Sequence, residues 1–154
     1  MYNDFLIPTI IKTSNIKNAG SGRFFIENHK KGTIIREQII NSDSLHVIKN
    51  KEECKKYDIE LLKHFGHSLP NNSEIKTNYV YINFPPMNTN HSLDNNIDFL
   101  FKDNKKITFL IKNVKSGEEI LQNYSNFRKV DWFEDYLHEN NLISARELGN
   151  LINN

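Results

Sequence analysis

The chain has 154 residues, 38% of them hydrophobic and 25% charged, with 10 Phe and 6 Tyr. That length suits about one domain burying about two thirds of its unfolded surface, and the aromatic content excludes a disordered segment. With 20 basic and 19 acidic side chains the net charge is +1, which gives no basis for non-specific binding to nucleic acid or to a membrane surface. Cys54 is the one cysteine, so neither an internal disulfide nor a cysteine-rich zinc site is available, and a reducing compartment fits. The apolar stretch from Phe5 to Ile11 is short and has no basic region before it, unlike a signal peptide, and no run approaches the ~20 apolar residues of a membrane helix. These features lead us to expect a protein inside the cell, cytoplasmic or nuclear and not secreted, with no membrane and no direct nucleic-acid partner.

In chain order, Phe5 to Lys12 is β-rich, and Pro8 suits an edge strand. Ser14 to Ser21 is a turn region, Arg23 to Ile26 a strand, and Thr33 to Ile40 the next strand, so the start reads as a β-meander with glycine-marked turns. Asn41 to Asn50 reads as a loop. Cys54, Tyr57, Leu61, Leu62 and Phe65 then recur at helical spacing, which predicts one amphipathic helix from Lys51 to His67, stopping at Gly66. After a polar stretch, Asn78 to Phe84 is a strand that Pro85-Pro86 ends. Ile97 to Phe101 is a strand and Asp103 to Lys106 a turn. Ile107 to Val114 is expected to pair with Glu119 to Tyr124 as a hairpin across Lys115-Ser116-Gly117. Val130 to His138 reads as a helix, and Ser144 with Glu147 forms the signature of a reciprocally capped helix to about Ile152. The fold class is mainly β with a few helices, a helical insert over about 46–78 and a helical C-terminal tail.

Three short stretches stand out for chemistry. Gly20-Ser21-Gly22 lets the backbone turn tightly and approach a ligand closely, although taken alone it reads first as a plain turn, and it lacks the third glycine and following helix of a dinucleotide fingerprint. Asn90-His91-Ser92 is a polar loop after the Tyr79–Phe84 strand; His64, His67 and His91 are not spaced as a zinc site, so no metal is expected. Gly117-Glu118-Glu119-Ile120 is a turn and strand that delivers Tyr124, by itself a core or edge aromatic. Glu118 and Glu119 read as turn and ion-pair residues.

Together, in this order, the three stretches resemble the SET-domain protein lysine methyltransferases over about residues 5–127, in the small single-domain form of microbial or viral members. The resemblance implies a SET fold, with small curved sheets around a pseudoknot, over residues 1–127 and a flank at 128–154 packed on the same domain. It implies S-adenosylmethionine as cofactor, S-adenosylhomocysteine as product, and a protein or peptide lysine, histone or non-histone, as substrate. By position in the motifs, Gly20, Gly22, Arg23, Asn90 and His91 match the cofactor-binding residues and Tyr124 the catalytic tyrosine. Asn96 matches the family's continuation after Asn-His-Ser, while its usual Cys and Pro are absent. Gln122 stands where many members have an aromatic lining the lysine channel, and Asn123 replaces the usual Asp. Tyr81 and Trp132 are candidates for the channel wall, against core packing for Tyr81 and a packed helix face for Trp132. A catalytically inactive SET-like module that binds cofactor or protein is the alternative, and a homodimer that completes the channel is an arrangement the resemblance leaves open.

Overall fold

The computed structural model of the protein describes residues 4–152. These fall into two compact units, one formed by the residues up to Ile39 with Met87–Asn123, the other by Ile40–Pro86 with the residues from Tyr124 onward.

In the first unit, β1 (Thr9–Thr13) and β2 (Ser21–Phe25) form an antiparallel pair. Pro8 directly precedes β1, whose one strand partner among the described residues is β2, so the missing N–H of a proline is harmless there. The expected meander stops there. β3 (Ile34–Ile39) does not continue onto β2; it pairs with β9 (Lys105–Leu110), whose other edge carries β8 (Ile97–Lys102). The β8–β9 turn is tighter than expected. Asp103 and Asn104 alone make it, both at positive φ, and Lys105 and Lys106 already lie in the strand. Asp and Asn tolerate that left-handed conformation, which matches the twist of a hairpin.

With both edges of β9 filled, the stretch after Gly117 has no strand to fold back on, so the expected hairpin of 107–114 with 119–124 does not form. Val114 instead bridges to His29, and residues 117–120 run along β2 through Gly117 N to Phe25 O (2.8 Å), Phe25 N to Glu118 O (2.9 Å) and Ile120 N to Arg23 O (2.7 Å). The chain then enters a short parallel pair of β7 (Asn90–His91) with β10 (Leu121–Gln122). Phe5, Phe25, Ile35, Ile97, Leu110, Val114 and Ile120 bury the core of this unit.

The second unit holds a sheet in the order β4 (Leu45–Ile48), β6 (Val80–Asn83), β5 (Gly66–His67). β4 lies inside the segment expected to be a loop; its Leu-His-Val-Ile is short and set between polar residues. The single helix expected over 51–67 is two: α1 (Lys51–Cys54) and α2 (Ile59–Phe65). Asp58 explains the break. Its carboxylate accepts from Glu60 N (2.9 Å) and Leu61 N (3.2 Å), a cap that starts a new helix rather than continuing an old one. α3 (Asp131–Glu139) packs Phe133 and Leu137 against Ile48, Leu62, Val80 and Ile82. α4 (Ala145–Ile152) starts as expected: Ser144 Oγ accepts from Glu147 N (3.2 Å), and Glu147 accepts from Ser144 N (3.3 Å).

Asn96 is buried and bridges two strands through its side chain. Its amide donates to Glu119 O (2.8 Å) and its carbonyl accepts from Leu121 N (2.9 Å). Removing both partners of buried backbone groups is costly, so Asn96→Ala is expected to lower unfolding free energy by about 3 kcal/mol in urea titration; a loss below about 1 kcal/mol would show the clamp to be dispensable.

Candidate active site

The glycine stretch closes the loop between β1 and β2. Ser14 N donates to Gly20 O (2.8 Å), and Gly20 sits at φ +73°, a conformation that glycine adopts without steric cost. The side of Gly20 where a Cβ would project is open, with nothing within 4 Å. Gly22 differs. A Cβ there would lie 2.9 Å from Glu119 Oε1 and 3.1 Å from Asn90 Nδ2, so the absent side chain makes room for two other residues of the protein.

Those two residues converge by the pairing of distant strands. The β7–β10 pair sets Asn90 opposite Leu121 and His91 opposite Gln122. Asn90 Nδ2 donates to Ser21 O (3.0 Å), joining the Asn-His stretch to the glycine loop. Ser92 N donates to Gln122 O (3.0 Å), and Thr89 Oγ1 lies 3.5 Å from Gln122 Oε1. Arg23 turns inward: Nε donates to Met87 O (2.7 Å), Nη1 to Thr9 Oγ1 (2.8 Å), and the guanidinium stacks over the Phe5 ring at 4.2 Å. Burial lowers its pKa from the ordinary arginine value. Arg23 thus ties β1 and β2 to the segment that leads into β7.

Glu119 corrects the sequence reading. It is buried rather than surface-paired, and it accepts from neutral donors: Ser14 Oγ (2.7 and 2.9 Å to its two oxygens) and Asn15 N (2.9 Å). Glu118 does act as a turn residue, accepting from Lys115 N (3.2 Å).

Tyr124 opens the second unit in a single 3-10 turn, Tyr124–Asn126. Its ring stacks on Phe127 (5.9 Å, 16°), Phe127 on His67 (5.6 Å, 26°), and His67 on Tyr81 (6.0 Å, 28°). Two candidate residues thus end one aromatic column. The sequence reading missed its two middle members, whose alignment depends on pairing across the chain: Phe127 bridges to Pro70, and His67 lies opposite Tyr81 in the β5–β6 pair. His67 Nδ1 is 2.9 Å from Ser68 O. Tyr81 is buried, and desolvation raises its phenol above the ordinary value against a hydrogen bond with Thr77 that lowers it. Trp132, on α3, donates Nε1–H to Asn78 O (3.0 Å) and stands edge-on to Phe133, contacts of a packed helix face.

Burial pushes the Tyr124 phenol up to about 12. A raised phenol means that the neutral form is the one favoured in the folded chain. The consequence for stability has a definite sign: below pH 10 the group contributes no pH dependence, and between pH 10 and about 12 the unfolded phenol ionises first, so stability falls as pH rises. In a spectrophotometric titration, the phenolate signal lost on Tyr124→Phe is expected to be the part that appears only above about pH 11. Its appearance near pH 10 would show an exposed hydroxyl.

No family model matches the chain, and no curated protein matches it by sequence. Solved structures do. An autoinhibited ctPRC2 bound to S-adenosylmethionine matches at TM-score 0.59 and 21% identity, over 88% of this chain and 17% of that one. An apo ctPRC2 with two substitutions in Ezh2 matches at 0.58 and 20%, over 80% and 16%. A humanized mutant of the Chaetomium thermophilum Polycomb Repressive Complex 2 bound to an inhibitor matches at 0.57 and 20%, over 80% and 16%. The chain therefore spans about a sixth of the length of these proteins. The mainly β architecture with small sheets and few helices is the SET fold.

Proposed function

We propose that this SET-fold chain is an S-adenosylmethionine-dependent protein lysine N-methyltransferase. The observation that carries the reading is the convergence, in one unit, of the glycine loop, Asn90-His91 and the Gly117–Gln122 segment on parallel strands β7 and β10. That pairing and the Asn96 clamp also support a threaded, pseudoknot-like crossing. The residues fit the cofactor on two counts. Gly20 has an open flank for close backbone approach, and Asn90 and His91 are half-buried polar groups on the neighbouring strand. Gly20, Gly22, Asn90 and His91 are assigned to holding it, with Arg23 fixing the frame behind them. When bound, S-adenosylmethionine supplies a sulfonium methyl for in-line displacement, a reaction that requires no metal.

Tyr124 is assigned to the lysine. As a neutral phenol it is no base at physiological pH; its hydroxyl orients the amine and interacts favourably with developing positive charge. A lysine channel walled by the aromatic column of Tyr81, His67, Phe127 and Tyr124 excludes water, and that desolvation favours the neutral amine that attacks. Holding the reactants aligned contributes most of the rate, as in other positioning-dominated reactions. By its motif position Gln122 is assigned to the channel, where a carboxamide in place of an aromatic is a determinant of how many methyl groups are added. The substrate is a protein or peptide lysine, histone or otherwise, inside the cell; a homodimer is a further arrangement to test.

Calorimetric titration with S-adenosylmethionine and S-adenosylhomocysteine is expected to show binding that weakens on changing Asn90 or His91. Tyr124→Phe is expected to keep binding while methyl transfer to lysine peptides falls by about a hundredfold or more, roughly 3 kcal/mol of barrier. Binding with no transfer by the unaltered protein would favour the inactive module that the departures at Gln122 and Asn123 suggest. A folded protein binding neither compound would remove the assignment.

A further inference from the structure

From the geometry around Gly22 we infer that Glu119 is a positioning residue: its buried carboxylate sets the shape of the glycine loop and of Asn90, and through them the affinity for S-adenosylmethionine. The inference rests on the cofactor assignment above and goes beyond it, since Glu119 belongs to none of the residues assigned to touch the cofactor. Glu119 is 5% exposed. Its backbone is fixed first: the carbonyl accepts from Asn96 Nδ2 (2.8 Å), and Glu119 bridges to Phe24. From that fixed point the side chain reaches the loop. Oε1 accepts both Ser14 Oγ (2.7 Å) and Asn15 N (2.9 Å), and Ser14 Oγ in turn accepts from Ile16 N (3.0 Å). One oxygen therefore organises the start of the loop, while Ser14 N to Gly20 O closes its end.

The same oxygen lies on the flank of Gly22, where a Cβ would come within 2.9 Å of it and 3.1 Å of Asn90 Nδ2. Asn90 Nδ2 completes the circle by donating to Ser21 O. Loop and glycine are thus packed against one carboxylate, and the Asn90 amide shares the glycine's flank and is tied to the loop at Ser21. Gly22 is glycine because Glu119 and Asn90 occupy its side-chain space, and Gly20 keeps the flank that stays open. Without Glu119, Asn15 N–H and Ser14 Oγ lose their acceptor, and the loop whose Ser21 O holds the Asn90 amide loses its anchor.

The role is one of shape more than of charge. Both donors reach the same oxygen, so a glutamine, which keeps that oxygen, preserves both bonds; alanine removes them. The test is calorimetric titration of S-adenosylmethionine into the unaltered protein and five variants, each first shown to be folded by circular dichroism and a cooperative thermal transition. Glu119→Ala is expected to weaken binding by about tenfold or more, and Glu119→Gln to restore it to within about threefold. Ser14→Ala, at a half-buried position, reaches the same node from the other side and is expected to weaken binding about threefold even if Glu119→Ala fails to fold. Adding Gly22→Ala to a folded Glu119→Ala chain is expected to cost less than adding it to the unaltered protein, because the obstructing oxygen is gone.

Unaltered protein that binds, with folded Glu119→Ala or Ser14→Ala binding as tightly, would overturn the inference and leave the methyltransferase assignment standing. Glutamine as damaging as alanine would overturn it as well. Unaltered, folded protein that binds no S-adenosylmethionine would overturn the assignment itself.

Discussion

A single carboxamide fixes the course of residues 119–122 through the first unit. Asn96 donates to Glu119 O and accepts from Leu121 N, and its backbone adds Asn96 N to Leu121 O (3.1 Å) and Ile111 N to Asn96 O (3.0 Å). Aspartate lacks the donor and a hydrophobe lacks both functions, so only an amide of this length serves. The grip fixes where residues 119–122 run. Glu119 then meets the glycine loop, and Gln122 lies opposite His91. A two-residue parallel pair is too short to define its own register, and the clamp supplies what the pair cannot.

What the sequence revealed divides by range. Local chemistry was readable. The capped start of α4 depends on residues three apart, and the strand character of 97–101 and 78–84 on runs of β-branched and aromatic side chains. The order of the three motif stretches was enough to anticipate the SET fold. Pairing partners were not readable, because they depend on which strand edges remain vacant. Residues 119–124 look like the second arm of a hairpin, yet β3, from the far end of the sequence, already fills the edge of β9 they would use. The split of α1 from α2 was hidden for a different reason: helical spacing continues across it, and a single cap at Asp58 overrides the pattern.

The candidate residues show the same division. Asn90 and the two glycines were identifiable from motif position and come together as a group. Glu119 was misread because a glutamate after a turn is ordinarily solvated, and nothing local reveals that Ser14 and Asn15, over a hundred residues earlier, take its carboxylate. His67 and Phe127 were passed over because each is an ordinary residue until strand pairing stacks them between Tyr81 and Tyr124.

The division of the chain into units has a consequence for how the protein is made. Neither unit is continuous in sequence; the polypeptide leaves the first at Ile39, returns at Met87 and leaves again at Asn123. On a ribosome, β3 emerges long before β9, and the glycine loop long before Glu119. At about 5–20 residues per second, the early strands wait several seconds with an open edge. Nascent β3, whose Ile35 is bound for the core, therefore carries an unpaired edge until β9 has been made.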